Sequence, residues 1–445
     1  MVGPALGDWS FQLPASGPSI AIIKSRRRQM YIAGEAEIEA IARVIRSGAL
    51  FRYREDSECE KFETRYAAYL GAKEFMLSVS GTFGLYAGLI GLGIGPGDEV
   101  LVPAHTYMAT ATAVLSVGAI PVIVDIDESL TIDPAALRDA IGPRTRAVIP
   151  VHMWGAACNM NEIMEIAAKR RLLVLEDACQ AIGGAYEGRR LGGIGDAGAF
   201  SFNYFKNITA GEAGGLATSD PKVAERARAA IDPCNFYWQG RTDSIRPFAG
   251  VGARASEITG AMLNVQLDRL DPMIEAMRHE KKRILAGTSQ VGNIGLAASP
   301  MNSPDEDCAT QVMYLLPTED AAQKFVKTTP AVIAGKTGRH NFTQWDQVLT
   351  HEGAHHPALN PYRLPENRGC RTEYPEGLGK RSLDIVNRTV MIATHPLHGD
   401  GEIADTIHNI NAAARVVLEN ASLDDVSLRS VAPVDLGKYD GARTA

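Results

Sequence analysis

The chain has little of what would tie it to a disulfide scaffold, a zinc centre, a membrane or a nucleic acid. Its six cysteines, at 59, 158, 179, 234, 308 and 370, never pair as Cys-x-x-Cys. Scattered over 445 residues, they point to reduced thiols and away from a disulfide framework or a zinc site. No stretch reaches the roughly 18 apolar residues that a membrane span needs. Residues 1–25 lack the basic-then-apolar order of a secretory signal. The formal net charge of −7 gives no broad attraction for nucleic acid or an anionic membrane surface. One basic run, Lys24 to Arg28, is short and reads as a solvated tail. The expectation is a cytoplasmic protein that binds neither nucleic acid nor membrane.

What is present is ordinary globular material, 45% hydrophobic and 22% charged. The length allows a large core and two subdomains. Residues 35–46 and 58–70 carry apolar side chains at helical spacing, stopped by Ser47-Gly48 and by Gly71. From residue 74 strands and helices alternate. Strands are expected over 74–79, 98–103, 120–125, 147–152 and 172–177. Helices are expected over 82–92, 106–117, 133–141 and 160–170, the third opened by Asp133-Pro134. Near-continuous apolar strands in such alternation predict a mostly parallel sheet covered on both faces. Further on, 221–230 reads as a helix, 234–252 as a long loop, and 257–283 as helical with Pro272 as a kink or split. Beyond about 285, a strand over 311–316 and helices over 319–326 and 401–418 suggest a smaller α+β domain. The expected division is an arm (1–29), a large domain (30–284), a small domain (285–420) and a tail (421–445).

In parallel sheets, ligands bind beyond the carboxyl ends of the strands. After the first strand, Ser80-Gly81-Thr82 opens a helix and offers backbone N–H groups to an anion; a plain helix cap is the alternative. His105 and Tyr107 offer ring faces after the second strand. Asp177 ends a buried strand and needs a donor or a cation there, such as a protonated pyridine, unless it only caps a turn. The apolar run from Gly198 ends in Lys206. Desolvation there favours the neutral amine, a nucleophile towards aldehydes; the alternative is a lysine whose head reaches water. An anion site with Ser201 nearby, a ring face, a carboxylate and an amine are the parts that a pyridoxal phosphate site requires.

Ser80-Gly81-Thr82, the run from Glu176 to Gln180, Phe200-Ser-Phe-x-x-x-Lys206 and the run from Thr209 to Gly215 together resemble the DegT/DnrJ/EryC1/StrS aminotransferases. The likeness extends over about residues 30–420. It implies a fold-type I pyridoxal-phosphate enzyme with a mostly parallel seven-stranded sheet flanked by helices, plus a smaller C-terminal α+β domain. It implies that Lys206 carries the cofactor's aldehyde and later moves the proton, and that Asp177 pairs with the pyridine nitrogen. Gln180 would hydrogen-bond the phenolic oxygen, Gly81, Thr82 and Ser201 would hold the phosphate, and Tyr107 would stack on the ring. The resemblance further implies a homodimer with shared active sites, Glu or Gln as amino donor, and a keto-sugar or cyclitol acceptor. Relatives that dehydrate deoxysugars carry histidine in place of the lysine. A 3-amino-5-hydroxybenzoate synthase-like dehydratase and a non-catalytic pyridoxal-phosphate-binding regulator stay open.

One departure stands out. Where the family often reads Gly-x-Asn-x-Arg, this chain has Gly250-Val-Gly252-Ala-Arg254. Gly252 has no side chain to reach a neighbouring subunit's phosphate, and Asn235 is a candidate substitute. His152 and Arg254 are the candidate substrate residues, with His395 and His398 as further pocket histidines; the alternatives are a structural carboxylate partner for Arg254 and a structural role for each histidine. No metal site is expected, because His355-His356 lacks other ligands.

Overall fold

The computed structural model describes residues 28–29, 31–238, 245–421, 428–429 and 434–435. A seven-stranded sheet forms its centre, in the order Glu74–Ser78, Gly214–Thr218, Ala197–Ser201, Leu173–Asp177, Thr145–Val148, Glu99–Pro103, Ile120–Val124. All neighbours run parallel except Gly214–Thr218, which is antiparallel to both of its partners. Gly214 therefore faces both Ser78 and Ser201, which marks the carboxyl ends of those two strands on one edge of the sheet. The glycines Gly214 and Gly215, which end the run from Thr209, begin this strand.

The strands show the two-residue period of a doubly covered sheet. Val100 and Val102 point into one apolar layer, while Leu101 points into the other with Val148 and Val174. Helix Gly81–Gly91 lies on the first layer at very close range. A Cβ on Gly84 would stand 2.4 Å from the Gly215 carbonyl oxygen, and one on Gly81 2.7 Å from both Cys179 Sγ and Ser201 Cβ. Glycine at these positions lets the helix start rest directly on the ends of the strands. Its cap is Ser80, whose Oγ accepts the Phe83 N–H at 3.1 Å.

The helices Glu35–Ser47 and Glu58–Leu70 end on Gly48 and Gly71, both left-handed. The helical stretch after residue 256 breaks at Asp268-Arg269, between Glu257–Leu267 and Leu270–Thr288. Pro272 thus falls in the first turn of the second helix, where a missing N–H costs nothing. The second helix runs from one core into another: Ile274 and Met277 pack with the large sheet, Ile284 with the small one. The small sheet is antiparallel, in the order Ala297–Ala298, Gln311–Leu315, Thr389–Ala393, Val332–Ile333. Of the expected arm and tail, Arg28–Gln29 pairs in parallel with Val434–Asp435; most of the rest lies outside the described residues. No helix among the described residues is long and apolar enough to cross a membrane.

Candidate active site

A cavity of about 580 Å³ opens at the carboxyl edge of the large sheet. Gly81, Thr82, Tyr107, Asp177, Gln180, Ser201 and Lys206 all line it. They arrive from the ends of four strands and two helix starts, and they span 126 positions of sequence between the first and last.

Asp177 is the last residue of its strand and is buried. Thr110 Oγ1 donates to its Oδ2 at 2.8 Å and the Cys179 N–H to its Oδ1 at 3.2 Å. Both carboxylate oxygens thus have a donor. Thr110 is in turn fixed by Thr106, hydroxyl to hydroxyl at 2.8 Å. Gln180 is held through its oxygen, which accepts the backbone N–H of Trp154 at 3.1 Å. With Oε1 occupied, the amide NH₂ is the group left to donate into the cavity.

Lys206 sits in a turn five residues past the strand Ala197–Ser201. Loss of solvation lowers the pKa of its amine, against the opposing pull of Cys179, Asp177 and Glu212. No ion pair holds the amine among the described residues. Gly81 and Thr82 present the start of an eleven-residue helix, and Ser201 adds a hydroxyl opposite them. Backbone donors, a helix dipole and a hydroxyl suit an anion such as a phosphate.

One wall comes from the far end of the chain, through Thr310, Gln311 and residues 337–340. Tyr107 is 41% exposed, and its ring centre lies 5.4 Å from that of His340. The His340 ring in turn lies 4.7 Å from Trp154. Behind them His105 is buried; it accepts the Trp154 Nε1–H at 2.9 Å and meets Asn341 Oδ1 at 2.8 Å through Nδ1. His105 is therefore the neutral Nδ1–H tautomer, and burial pushes its pKa down to about 4. Burial pushes His340 down to about 3. Both rings are neutral at neutral pH; His340 and Tyr107 line the cavity, and His105 lies behind them.

Several expected substrate residues are placed elsewhere. His152 is fully buried outside the cavity. Its Nδ1 accepts the Cys158 N–H at 3.1 Å, so the ring proton is on Nε2, 2.9 Å from Glu176 Oε2. Glu176 also accepts the N–H groups of Gly192, Ile194 and Gly195. This is a packed structural pair, and His152 is corrected from substrate contact to framework. Arg254 is occupied by Asp232 at 2.6 Å and lines no part of the cavity. His395 and His398 are gathered by Glu280, whose carboxylate accepts the His395 N–H and pairs with His398 Nδ1, each at 2.8 Å. Gly252, left-handed at φ 70°, and Asn235 lie outside this chain's own cavity. His356 caps a turn through Nδ1, and no group of metal-ligating side chains occurs among the described residues.

Sequence reasoning missed Trp154, Thr110, Arg339 and His340. The strand-end rule leads to His152, but the chain then reverses through Trp154 (φ 55°) and Gly155 (φ 85°). That reversal turns Trp154 inwards, two residues later than expected. The 337–340 turn has no local signal, because only tertiary packing brings it here.

The chain is similar to known proteins over much of its length. Spore coat polysaccharide biosynthesis protein SpsC of Bacillus subtilis is 42% identical over 392 residues, which is 85% of this chain and 94% of that protein. The dTDP-3-amino-3,4,6-trideoxy-alpha-D-glucose transaminase of Streptomyces venezuelae is 39% identical over 270 residues, 60% of this chain and 68% of that protein. Against another curated relative, GDP-perosamine synthase of Caulobacter vibrioides, the match spans only 58% of that protein's length. The crystal structure of S. venezuelae DesV, solved in complex with a ketimine intermediate, superposes with a TM-score of 0.66 at 28% identity, covering 87% of this chain and 98% of that one. With the family model matching residues 32–333, the chain belongs to the DegT/DnrJ/EryC1/StrS aminotransferase family.

Proposed function

We propose that this protein is a pyridoxal-phosphate-dependent aminotransferase moving an amino group from Glu or Gln to a ketone of a sugar nucleotide or cyclitol. The observation that carries this reading is the shared cavity of Lys206 and Asp177, with the Gly81–Thr82 helix start on the same wall. The residues fit the cofactor: a helix start seated on the strand ends where a Cβ at Gly81 would collide with Cys179 and Ser201, a carboxylate held by two donors, an amide NH₂ left free by its occupied oxygen and a desolvated amine.

Gly81, Thr82 and Ser201 would hold the phosphate. Asp177 would face the ring nitrogen and keep it protonated, Gln180 would donate to the phenolic oxygen, and Tyr107 would cover one ring face. When bound, the cofactor supplies an aldehyde that condenses with amines and a ring that withdraws electrons from the neighbouring carbon. Lys206 Nζ takes the proton from the donor's α-carbon and delivers one on the way back, as general base and then acid. The lowered pKa of Lys206 favours the form that can accept that proton. The apolar wall of Tyr107, His340 and Trp154 keeps water from the reacting carbon.

A homodimer with shared sites is part of the proposal. Ile38, Ile45, Leu50, Phe51, Tyr237 and Trp238 are large apolar side chains left 40–85% exposed in the single chain, more than a monomer comfortably leaves in water. The deciding experiment loads the purified protein with pyridoxal phosphate and adds Glu or Gln. Conversion of the visible absorbance to that of pyridoxamine phosphate supports amino transfer; a spectrum unmoved by any amino acid argues for a binding protein without turnover. A panel of keto-sugar nucleotides and inososes, each added to the aminated enzyme, then sorts the acceptor classes.

A further inference from the structure

Of the charged side chains that line the cavity, Asp177 and Lys206 are used by the reading above, leaving Glu212 and Arg339. Arg339 is the one permanent cation among the described lining residues, since guanidinium does not lose its proton in proteins. Its position is built rather than loose. The Arg339 carbonyl accepts both the Met108 N–H at 3.0 Å and the Trp345 Nε1–H at 3.1 Å. On one side Gly338 turns the chain at φ 62°. On the other, His340 is buried and Asn341 is bridged to His105. The guanidinium carried by this pinned backbone is exposed and has no ion pair or hydrogen bond among the described residues. Elsewhere on the chain exposed arginines are commonly spent on carboxylates, as in Arg254 with Asp232 and Arg371 with Glu99.

An amino donor brings a carboxylate on the very carbon that must react. That carboxylate enters a cavity already holding Asp177, Glu212 and, on the reading above, a phosphate. It needs a cation, and Arg339 is the guanidinium that the lining supplies. We propose that Arg339 receives the α-carboxylate of the amino donor and so fixes the α-carbon for proton removal by Lys206. The proposal rests on the amino-transfer reading and adds the residue that recognises the donor. A planar fork of N–H groups suits a carboxylate better than a point charge does.

The test follows each half-reaction separately by absorbance in the wild type, Arg339→Gln and Arg339→Lys. Arg339→Gln should weaken the donor half-reaction about 10- to 100-fold in kcat/KM, equally for Glu and Gln. Arg339→Lys should recover part of it. The acceptor half-reaction, started from enzyme already aminated, should be unchanged. Binding of 2-methylglutamate, which has no α-proton to lose, should weaken by a similar factor without turnover. The melting temperature should not move, because the side chain is exposed and unpaired. A loss confined to the acceptor, a loss for Glu but not Gln, or no loss at all would each overturn the proposal. If the wild type accepts no amino donor, it is the amino-transfer reading that fails, independently of any variant.

Discussion

The backbone N–H of Trp154 donates to Gln180 Oε1 at 3.1 Å, and that same residue's carbonyl accepts the Thr310 hydroxyl at 2.6 Å. A left-handed residue is thus clamped from both sides, once by the small domain and once by the group it aims. Thr310→Val should remove this hydrogen bond and cost about 0.5–1.5 kcal/mol of stability. It should also shift the pH at which the bound cofactor's absorbance titrates, because Gln180 loses its rigid partner. Thr310→Ser should restore both. Thermal melts and a spectroscopic pH titration check this, and a Val variant with the normal titration would count against a positioning role.

Gly81 is close-packed against Cys179 and Ser201. Gly81→Ala should cost about 1–3 kcal/mol by overpacking and lift the helix start off the strand ends. Cofactor retention should fall about 10-fold or more, read by fluorescence on dilution. Gly292, with open space around it, provides the control: Gly292→Ala should stay within about 0.5 kcal/mol.

The lowered pKa of Lys206 has a consequence for the cofactor-free protein. Between that lowered value and the ordinary lysine value, the unfolded chain holds a proton that the folded chain has released. Stability therefore rises with pH across this window, and below it the full penalty of burying the cation remains. Lys206→Met should remove the penalty. The cofactor-free variant should melt higher than the wild type near neutral pH, with the gap closing as pH approaches 10.5, while turnover and borohydride trapping of the cofactor are lost. Equal melting points at all pH values would contradict the assignment.

His105 and His340 work in the opposite range. Both fold as neutral rings with pKa values depressed by burial, to about 4 and about 3. The unfolded chain takes up these protons near pH 6.5, so their contribution to stability is complete above that pH and drains away as pH falls towards 4. A pH series of denaturation midpoints should show this slope. His340→Phe, which keeps an apolar ring against Trp154 and Tyr107, should flatten it.

Much of this was legible in the chain itself. The residues that gather at the cavity were, because each follows a strand whose apolar pattern is local and because their order is fixed by the topology of a parallel sheet. The strand at Gly214–Thr218 was not: small residues carry no alternation, and what places them there is the close passage of another helix. For His152 and Arg254 the sequence leaves substrate and structural roles both open, and only the neighbours, Glu176 and Asp232, show that they are already taken. The wall formed by 310 and 337–340 is invisible for a different reason. It lies more than 100 residues beyond Lys206, and nothing near it in sequence says where it docks.

The helix Leu270–Thr288 is rooted at one end beneath the large sheet and at the other beneath the small one. A single rod seated in both foundations couples the two sheets without an intervening loop, so a cavity-filling change at Ile284 in one core bears on the same helix that holds Ile274 and Met277 in the other.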